Sequence, residues 1–72
     1  MILRRRDPER HESRFYRVAL QGRLLGDGVD LVREWGRIGS PGTTRTDRFA
    51  SVDEAVEAGN WLLFRKWRRG YR

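Results

Sequence analysis

The chain has 72 residues, which is enough for one small domain but too few for a second hydrophobic core. It contains no cysteine, which excludes disulfide bonds, thiolate catalysis and cysteine-based zinc sites. Sixteen basic and ten acidic residues give a net charge of +6. This excess favours polyanions as partners, and nucleic acid is the first of them to consider.

Apolar residues never form a run long enough for a membrane span or for the core of a signal peptide. We therefore expect a cytoplasmic protein with no membrane partner, and leave open that it associates with the nucleoid. All the basic residues except Lys66 are arginines. Arginine suits bidentate contacts to phosphate and bases, although a GC-rich genome produces the same bias.

The first residues are strongly charged and predict little regular structure. Residues 1–13 are interpreted as a charged amino-terminal arm or an edge strand, and residues 14–72 as the domain itself. The acidic and histidine side chains of the arm are interpreted as solvated charges, because a mobile segment holds metal ligands poorly. These residues are Asp7, Glu9, His11 and Glu12. We expect no metal site and no cofactor.

A two-residue hydrophobic period predicts three strands. Residues 15–20 combine aromatic and β-branched side chains, and residues 29–35 resume an extended pattern after a glycine-rich reversal. Pro41 and Gly42 are typical of a type II turn. They introduce a third strand over residues 43–49.

A helix is predicted to follow the strands. Ser51 is a candidate N-cap for the Glu54 amide, and Gly70 offers a carboxyl-terminal stop. An apolar stripe at 3.6 residues per turn is expected to cover the sheet. It consists of Val52, Ala55, Val56, Gly59, Leu62, Leu63 and Trp67. The predicted fold class is α+β, a small antiparallel sheet of three to five strands with one C-terminal helix packed on one face.

Two features of this helix need an explanation. Gly59 lowers helix propensity, and its presence predicts a close crossing of helix and sheet where a side chain would not fit. Trp61 and Phe64 fall outside the apolar stripe, beside Arg65 and Arg68. A second copy of the chain, the amino-terminal arm or a ligand would have to cover these rings.

Residues suited to catalysis are scarce. The sequence offers no nucleophile paired with a base, and its glycine clusters lack the strand-to-helix context and the lysine of a phosphate-binding loop. We therefore expect the chain not to be an enzyme.

Residues 32–39 carry the most distinctive pattern. In a strand, Trp35 and Arg37 project to the same side, and Gly36 lies between them. Such a pair is suited to packing a terminal sugar or base while binding its phosphate. The alternative interpretation is a buried tryptophan with an arginine stacked over its ring.

These residues resemble the signature of the WGR domain family, which is named after the tripeptide at Trp35-Gly36-Arg37. The resemblance covers residues 14–72. It includes the aromatic pair Phe15-Tyr16, a helix with an acidic start, and a basic segment that ends in Gly70-Tyr71. The chain is similar to small stand-alone bacterial WGR proteins and to the WGR domain of DNA-dependent poly(ADP-ribose) polymerases, whose catalytic domain is absent here.

The resemblance implies an antiparallel sheet with one helix, and binding at DNA breaks. Matched residue by residue, Trp35 would pack on the terminal sugar or base, Arg37 would contact phosphate or a neighbouring protein domain, and Tyr71 would lie near the end phosphate. We therefore expect a sequence-independent nucleic-acid-binding module, most simply for DNA ends. Its expected contact residues are Arg33, Trp35, Gly36, Arg37, Arg45, Arg48, Arg68, Arg69 and Tyr71.

The competing interpretation is a protein-interaction or self-association module. In that case the interface is expected to consist of Trp61, Phe64, Arg65 and the basic carboxyl terminus, because aromatic and arginine side chains are enriched at protein contacts. The partner would be an acidic protein or a second copy of the chain.

Overall fold

The structure is a computed structural model that describes residues 1–23 and 26–72. Within these residues, four antiparallel strands form one sheet in chain order, and a single helix follows them. The elements are β1 (Ile2–Asp7), β2 (Glu12–Gly22), β3 (Val29–Arg37), β4 (Thr43–Phe49) and α1 (Val52–Arg68). The predicted α+β class is confirmed.

The amino-terminal residues form an edge strand of the sheet. Strand β1 pairs with β2 from Ile2 opposite Arg17 to Asp7 opposite Glu12. This pairing extends β2 three residues upstream of the predicted strand at residues 15–20. The hydrophobic pattern does not predict this extension, because it depends on backbone hydrogen bonds to β1.

The carboxyl terminus returns to the outer edge of β1. The backbone amide of Arg72 donates to the Arg4 carbonyl oxygen at 2.6 Å, and the Arg4 amide donates to the Arg72 carbonyl oxygen at 2.9 Å. Tyr71 is buried, with 6% of its surface exposed. The last residues therefore protect part of an edge that would otherwise carry unpaired backbone groups.

The core lies between α1 and one face of the sheet. Its buried residues are Tyr16 and Val18 from β2, Leu31 from β3, and Tyr71 after the helix. Strand alternation places Tyr16, Val18 and Leu31 on the face that α1 covers. Leu3, Trp35, Phe49, Ala58, Leu62 and Leu63 pack against this cluster and are half-buried.

The helix begins with the predicted cap, since the Ser51 hydroxyl accepts a hydrogen bond from the Glu54 amide at 3.2 Å. Its buried positions are Ala55 and Gly59. A Cβ added at Gly59 would lie 3.4 Å from a Leu31 methyl group and 3.5 Å from a Val18 methyl group. The crossing is therefore close, but a methyl group fits where larger side chains do not.

The predicted apolar stripe was wrong at three positions. Val52, Val56 and Trp67 are exposed, whereas Lys66 is half-buried on the side of α1 that faces the sheet. The buried line follows the small residues Ala55 and Gly59, which bring the helix close to the sheet along a narrow strip. Side chains to either side of this strip extend past the core.

Candidate functional site

Trp35 lies on the face of the sheet that α1 covers. It pairs with Tyr16 across β2 and β3, and the two ring centroids are 6.4 Å apart with planes inclined by 32°. Arg33 lies two residues earlier on the same face, and its guanidinium carbon is 5.8 Å from the Trp35 ring centroid. Trp35 is half-buried, so it both packs against the core and retains exposed surface.

Two glycines allow the turn between β3 and β4 to fold against the Trp35 backbone. A Cβ on Gly36 would lie 2.8 Å from the Gly42 Cα atom. A Cβ on Gly42 would lie 2.6 Å from the Trp35 carbonyl oxygen, and Gly42 has a φ of 75°. The close approach at Gly36 is therefore made by the chain's own turn.

A cavity of about 290 Å³ lies beside the Trp35 ring, between the sheet and the carboxyl-terminal half of α1. The sheet contributes two aromatic rings and one arginine, and α1 together with the residue that follows it contributes three cations. The lining residues are Tyr16, Arg33, Trp35, Leu62, Arg65, Lys66 and Arg69. Its volume is close to the lower limit for small-molecule sites, and its lining is strongly cationic.

The cations of this cavity differ in how far they are neutralised. Arg33 donates to the Asp47 carboxylate at 3.2 Å, and its Nε atom is buried without a hydrogen-bond partner. Across residues 1–23 and 26–72, no ion pair involves Arg65, Lys66 or Arg69. The helix wall therefore presents uncompensated positive charge to an anion in the cavity.

Lys66 lies deepest on that wall. Its Nζ atom is 4.8 Å from the centroid of the Tyr16 ring and 5.3 Å from that of the Tyr71 ring. Burial lowers the pKa of Lys66 below its usual 10.5, and the positive charges of nearby arginines lower it further. These arginines are Arg69, Arg65, Arg5 and Arg14. A bound anion would relieve this repulsion.

Lys66 was absent from the residues predicted for the site. The available signal was its position four residues after Leu62, which places a lysine on the buried side of the helix. Arg65, predicted only as part of a protein interface, also lines the cavity.

The structure brings together only part of the predicted set. Arg33, Trp35 and Arg69 line the cavity. Arg37 lies farther along β3, with its side chain 68% exposed and its guanidinium 3.9 Å from the Glu12 carboxylate. Trp35 and Arg37 thus belong to one face, but only the tryptophan reaches the cavity.

The remaining predicted residues lie elsewhere. Arg45 pairs with Asp47 on β4 at 3.4 Å, and Arg48 belongs to the opposite face of the sheet. Arg68 points away from the core beside Phe64. Tyr71 is buried and holds the carboxyl terminus against β1, outside the cavity lining.

The outer side of α1 carries a row of exposed rings, called here the aromatic row, formed by Trp61, Phe64 and Trp67. Their exposed fractions are 59%, 47% and 50%. Neighbouring ring centroids are 6.1 Å and 6.3 Å apart. The expected exposure of Trp61 and Phe64 is confirmed, and Trp67 joins them instead of the core.

In the described part of the chain, no group of three histidine or acidic side chains is placed to hold a metal ion. Within the same residues, no helix combines the length and apolar character needed to cross a bilayer.

Comparison with known proteins places the chain in a family. The family model for the WGR domain matches residues 1–72. Uncharacterized protein y4dW of Sinorhizobium fredii (strain NBRC 101917 / NGR234) is 38% identical over 72 residues, which are 100% of this chain and 35% of that protein. The chain thus spans about a third of the length of this curated relative. No solved structure matches the chain significantly.

WGR domains are nucleic-acid-binding modules, not catalytic domains. This chain belongs to the WGR domain family.

Proposed function

We propose that the chain binds DNA ends or breaks without sequence preference and seats the terminal nucleotide in the cavity beside Trp35. The observation that carries this proposal is the composition of the cavity lining, in which two aromatic rings meet four cations and no acid. An aromatic ring suits a sugar or base, and clustered cations suit a phosphate.

Each cavity residue has a distinct role in this proposal. Arg65, Lys66 and Arg69 contact the terminal phosphate, because the ion pairs of the described residues leave them unneutralised. Trp35 packs against the terminal sugar or base. Arg33 is already held by Asp47, so it supports the Trp35 ring and contributes less to anion binding.

The concave shape of the site supports recognition of an end. Its volume of about 290 Å³ suits a terminal nucleotide better than the side of a continuous duplex. Phosphate and sugar contacts carry no direct sequence information, which accounts for the absence of sequence preference.

Residues outside the cavity contribute at longer range. Arg68 is exposed and has the charge needed to contact a phosphate farther from the end. Arg37 and Arg45 are exposed but pair with Glu12 and Asp47, so they contribute less, and Arg48 lies on the opposite face of the sheet. Gly36 and Tyr71 act indirectly, since Gly36 accommodates the turn and Tyr71 anchors the carboxyl terminus.

The proposal is tested by comparing DNAs of one sequence in four forms: blunt with 5′ phosphates, blunt without them, nicked, and closed-circular. We expect the phosphorylated blunt duplex and the nicked circle to bind more tightly than the closed circle at moderate salt. Equal binding of all four forms would contradict end recognition, and a flat response to salt would contradict nucleic-acid binding itself.

A charge-matched pair of variants localises the site. Arg65→Gln with Arg69→Gln removes two cations from the cavity, and Arg4→Gln with Arg6→Gln removes two from the opposite face of the sheet. Both proteins have the same net charge. Only the cavity variant is expected to lose the preference for ends.

A further inference from the structure

We propose that the aromatic row Trp61, Phe64 and Trp67 binds single-stranded nucleic acid that leads away from the end seated in the cavity. This inference rests on the proposed function, because it assigns a binding path to the strand beyond the terminal nucleotide. The proposed ligand is therefore a DNA end that carries an unpaired strand.

The spacing of the rings is the first observation. Trp61, Phe64 and Trp67 follow one another at intervals of three residues along the outer side of α1. Their centroids are separated by 6.1 Å and 6.3 Å, and the planes of Phe64 and Trp67 differ by 24°. Rings spaced in this way present successive faces or edges on which unpaired bases can stack.

The positive charge around the aromatic row favours a polyanion as its partner. Residues 58–72 contain five basic residues and no acidic one. The guanidinium group of Arg68 lies over the Phe64 ring, 5.9 Å from its centroid, and that of Arg72 lies over the Trp67 ring, 5.2 Å from its centroid. A base that stacks on either face displaces the guanidinium group, which then contacts the neighbouring backbone phosphate.

The same charge argues against a second copy of the chain as the partner. Two aromatic rows placed face to face with their helices parallel would bring Arg65, Arg68 and Arg72 of one molecule against the same residues of the other. Like charges juxtaposed at an interface oppose association, whereas a polyanion neutralises them.

The row is continuous with the cavity. Arg65 lines the cavity and lies one helical turn after Trp61, and Arg69 lines the cavity next to Arg68. A strand that leaves the cavity across Arg65 and Arg69 therefore reaches Trp61 and Phe64 without a gap in positive charge. A fully paired duplex does not present its base faces to these rings.

The test compares a 5′-phosphorylated blunt duplex with the same duplex carrying a single-stranded overhang of about six nucleotides, within the usual site size of single-strand binders. Overhangs on the 5′ and the 3′ strand are measured separately by fluorescence anisotropy. We expect at least one of them to bind about thirtyfold more tightly than the blunt duplex, the lower end expected for stacking on two rings.

Trp61→Ala with Trp67→Ala is expected to abolish the gain from the overhang and to preserve binding of the blunt duplex. Val52→Ala with Val56→Ala is the matched control, since it trims exposed apolar residues of the same helix outside the row. Thermal melting verifies that both variants fold.

The outcomes separate the two proposals. If the wild type prefers ends but gains nothing from either overhang, or if the gain survives loss of both tryptophans, the inference about the row is overturned and the proposed function stands. If the closed circle binds as well as the blunt duplex, the proposed function fails. A dimer lost with Trp61 and Trp67, or row-dependent binding of poly-glutamate without an overhang effect, would also overturn the inference.

Discussion

The Nζ atom of Lys66 lies 4.8 Å from the centroid of the Tyr16 ring, on the wall of the cavity that also contains Arg65 and Arg69. A lysine in this position combines partial burial with like charge from four arginines, and both lower its pKa. The cavity therefore holds one cation whose charge is sensitive to alkaline pH.

This arrangement predicts a pH dependence of end binding. Because an anion favours the charged form of Lys66, affinity for the 5′-phosphorylated blunt duplex should fall as pH rises through the lowered pKa of Lys66. Lys66→Arg should remove this loss of affinity over the same pH range, since arginine remains charged. Binding isotherms from neutral pH to about pH 10 measure both proteins. If the affinity of Lys66→Arg falls with pH as that of the wild type does, the pH dependence belongs to another group.

A second prediction concerns the turn that folds against Trp35. Gly42→Ala should destabilise the fold by about 3 kcal/mol, because the new Cβ would lie 2.6 Å from the Trp35 carbonyl oxygen at a φ of 75°. Gly39→Ala has open space and a φ of 94°, so it should cost only about 1–2 kcal/mol. Urea denaturation measures both values, and equal losses would contradict the close packing at Gly42.

A third prediction concerns the crossing of α1 over the sheet. Gly59→Ala should leave stability unchanged or raise it by up to about 1 kcal/mol, because alanine favours helix and its methyl group meets Leu31 and Val18 at ordinary contact distance. Gly59→Leu should destabilise by about 2 kcal/mol or more, since its larger side chain has no room there. A stabilising Gly59→Leu in thermal melts would disprove the crossing described for this site.

A fourth prediction uses salt to count phosphate contacts. The logarithm of affinity for blunt DNA should fall linearly with the logarithm of salt concentration, by about 0.9 per neutralised phosphate. Because Arg65, Lys66 and Arg69 share one terminal phosphate, removing Arg65 and Arg69 together should make the slope shallower by at most about 0.9. The Arg4→Gln with Arg6→Gln variant should keep most of the wild-type slope. If the opposite-face variant shows the larger reduction, the phosphates are bound on that face.

Local signals predicted most of the secondary structure. The two-residue period and the glycine-rich reversals indicated β2, β3 and β4, and Ser51 indicated where the helix begins. Whether the first residues form a strand could not be decided locally. Their pairing depends on β2 and on Arg72, which is distant in sequence.

The site was less accessible to sequence reasoning. Arg33 and Trp35 meet Arg65, Lys66 and Arg69 only because α1 crosses back over β2 and β3 at Gly59. The 3.6-residue period also placed Trp67 in the core. Periodicity alone does not show how narrow the strip of α1 is that packs against the sheet. Small residues at positions 55 and 59 set that width, and the exposed rings follow from it.

The most direct measurement of the central claim is nuclear magnetic resonance of the tryptophan indole N–H groups, of which the chain has three. During titration with a short 5′-phosphorylated blunt duplex at a salt concentration that suppresses closed-circle binding, the Trp35 signal should shift most. An unmoved Trp35 signal in a saturated complex, with changes confined to other residues, would contradict the placement of a DNA end in the cavity.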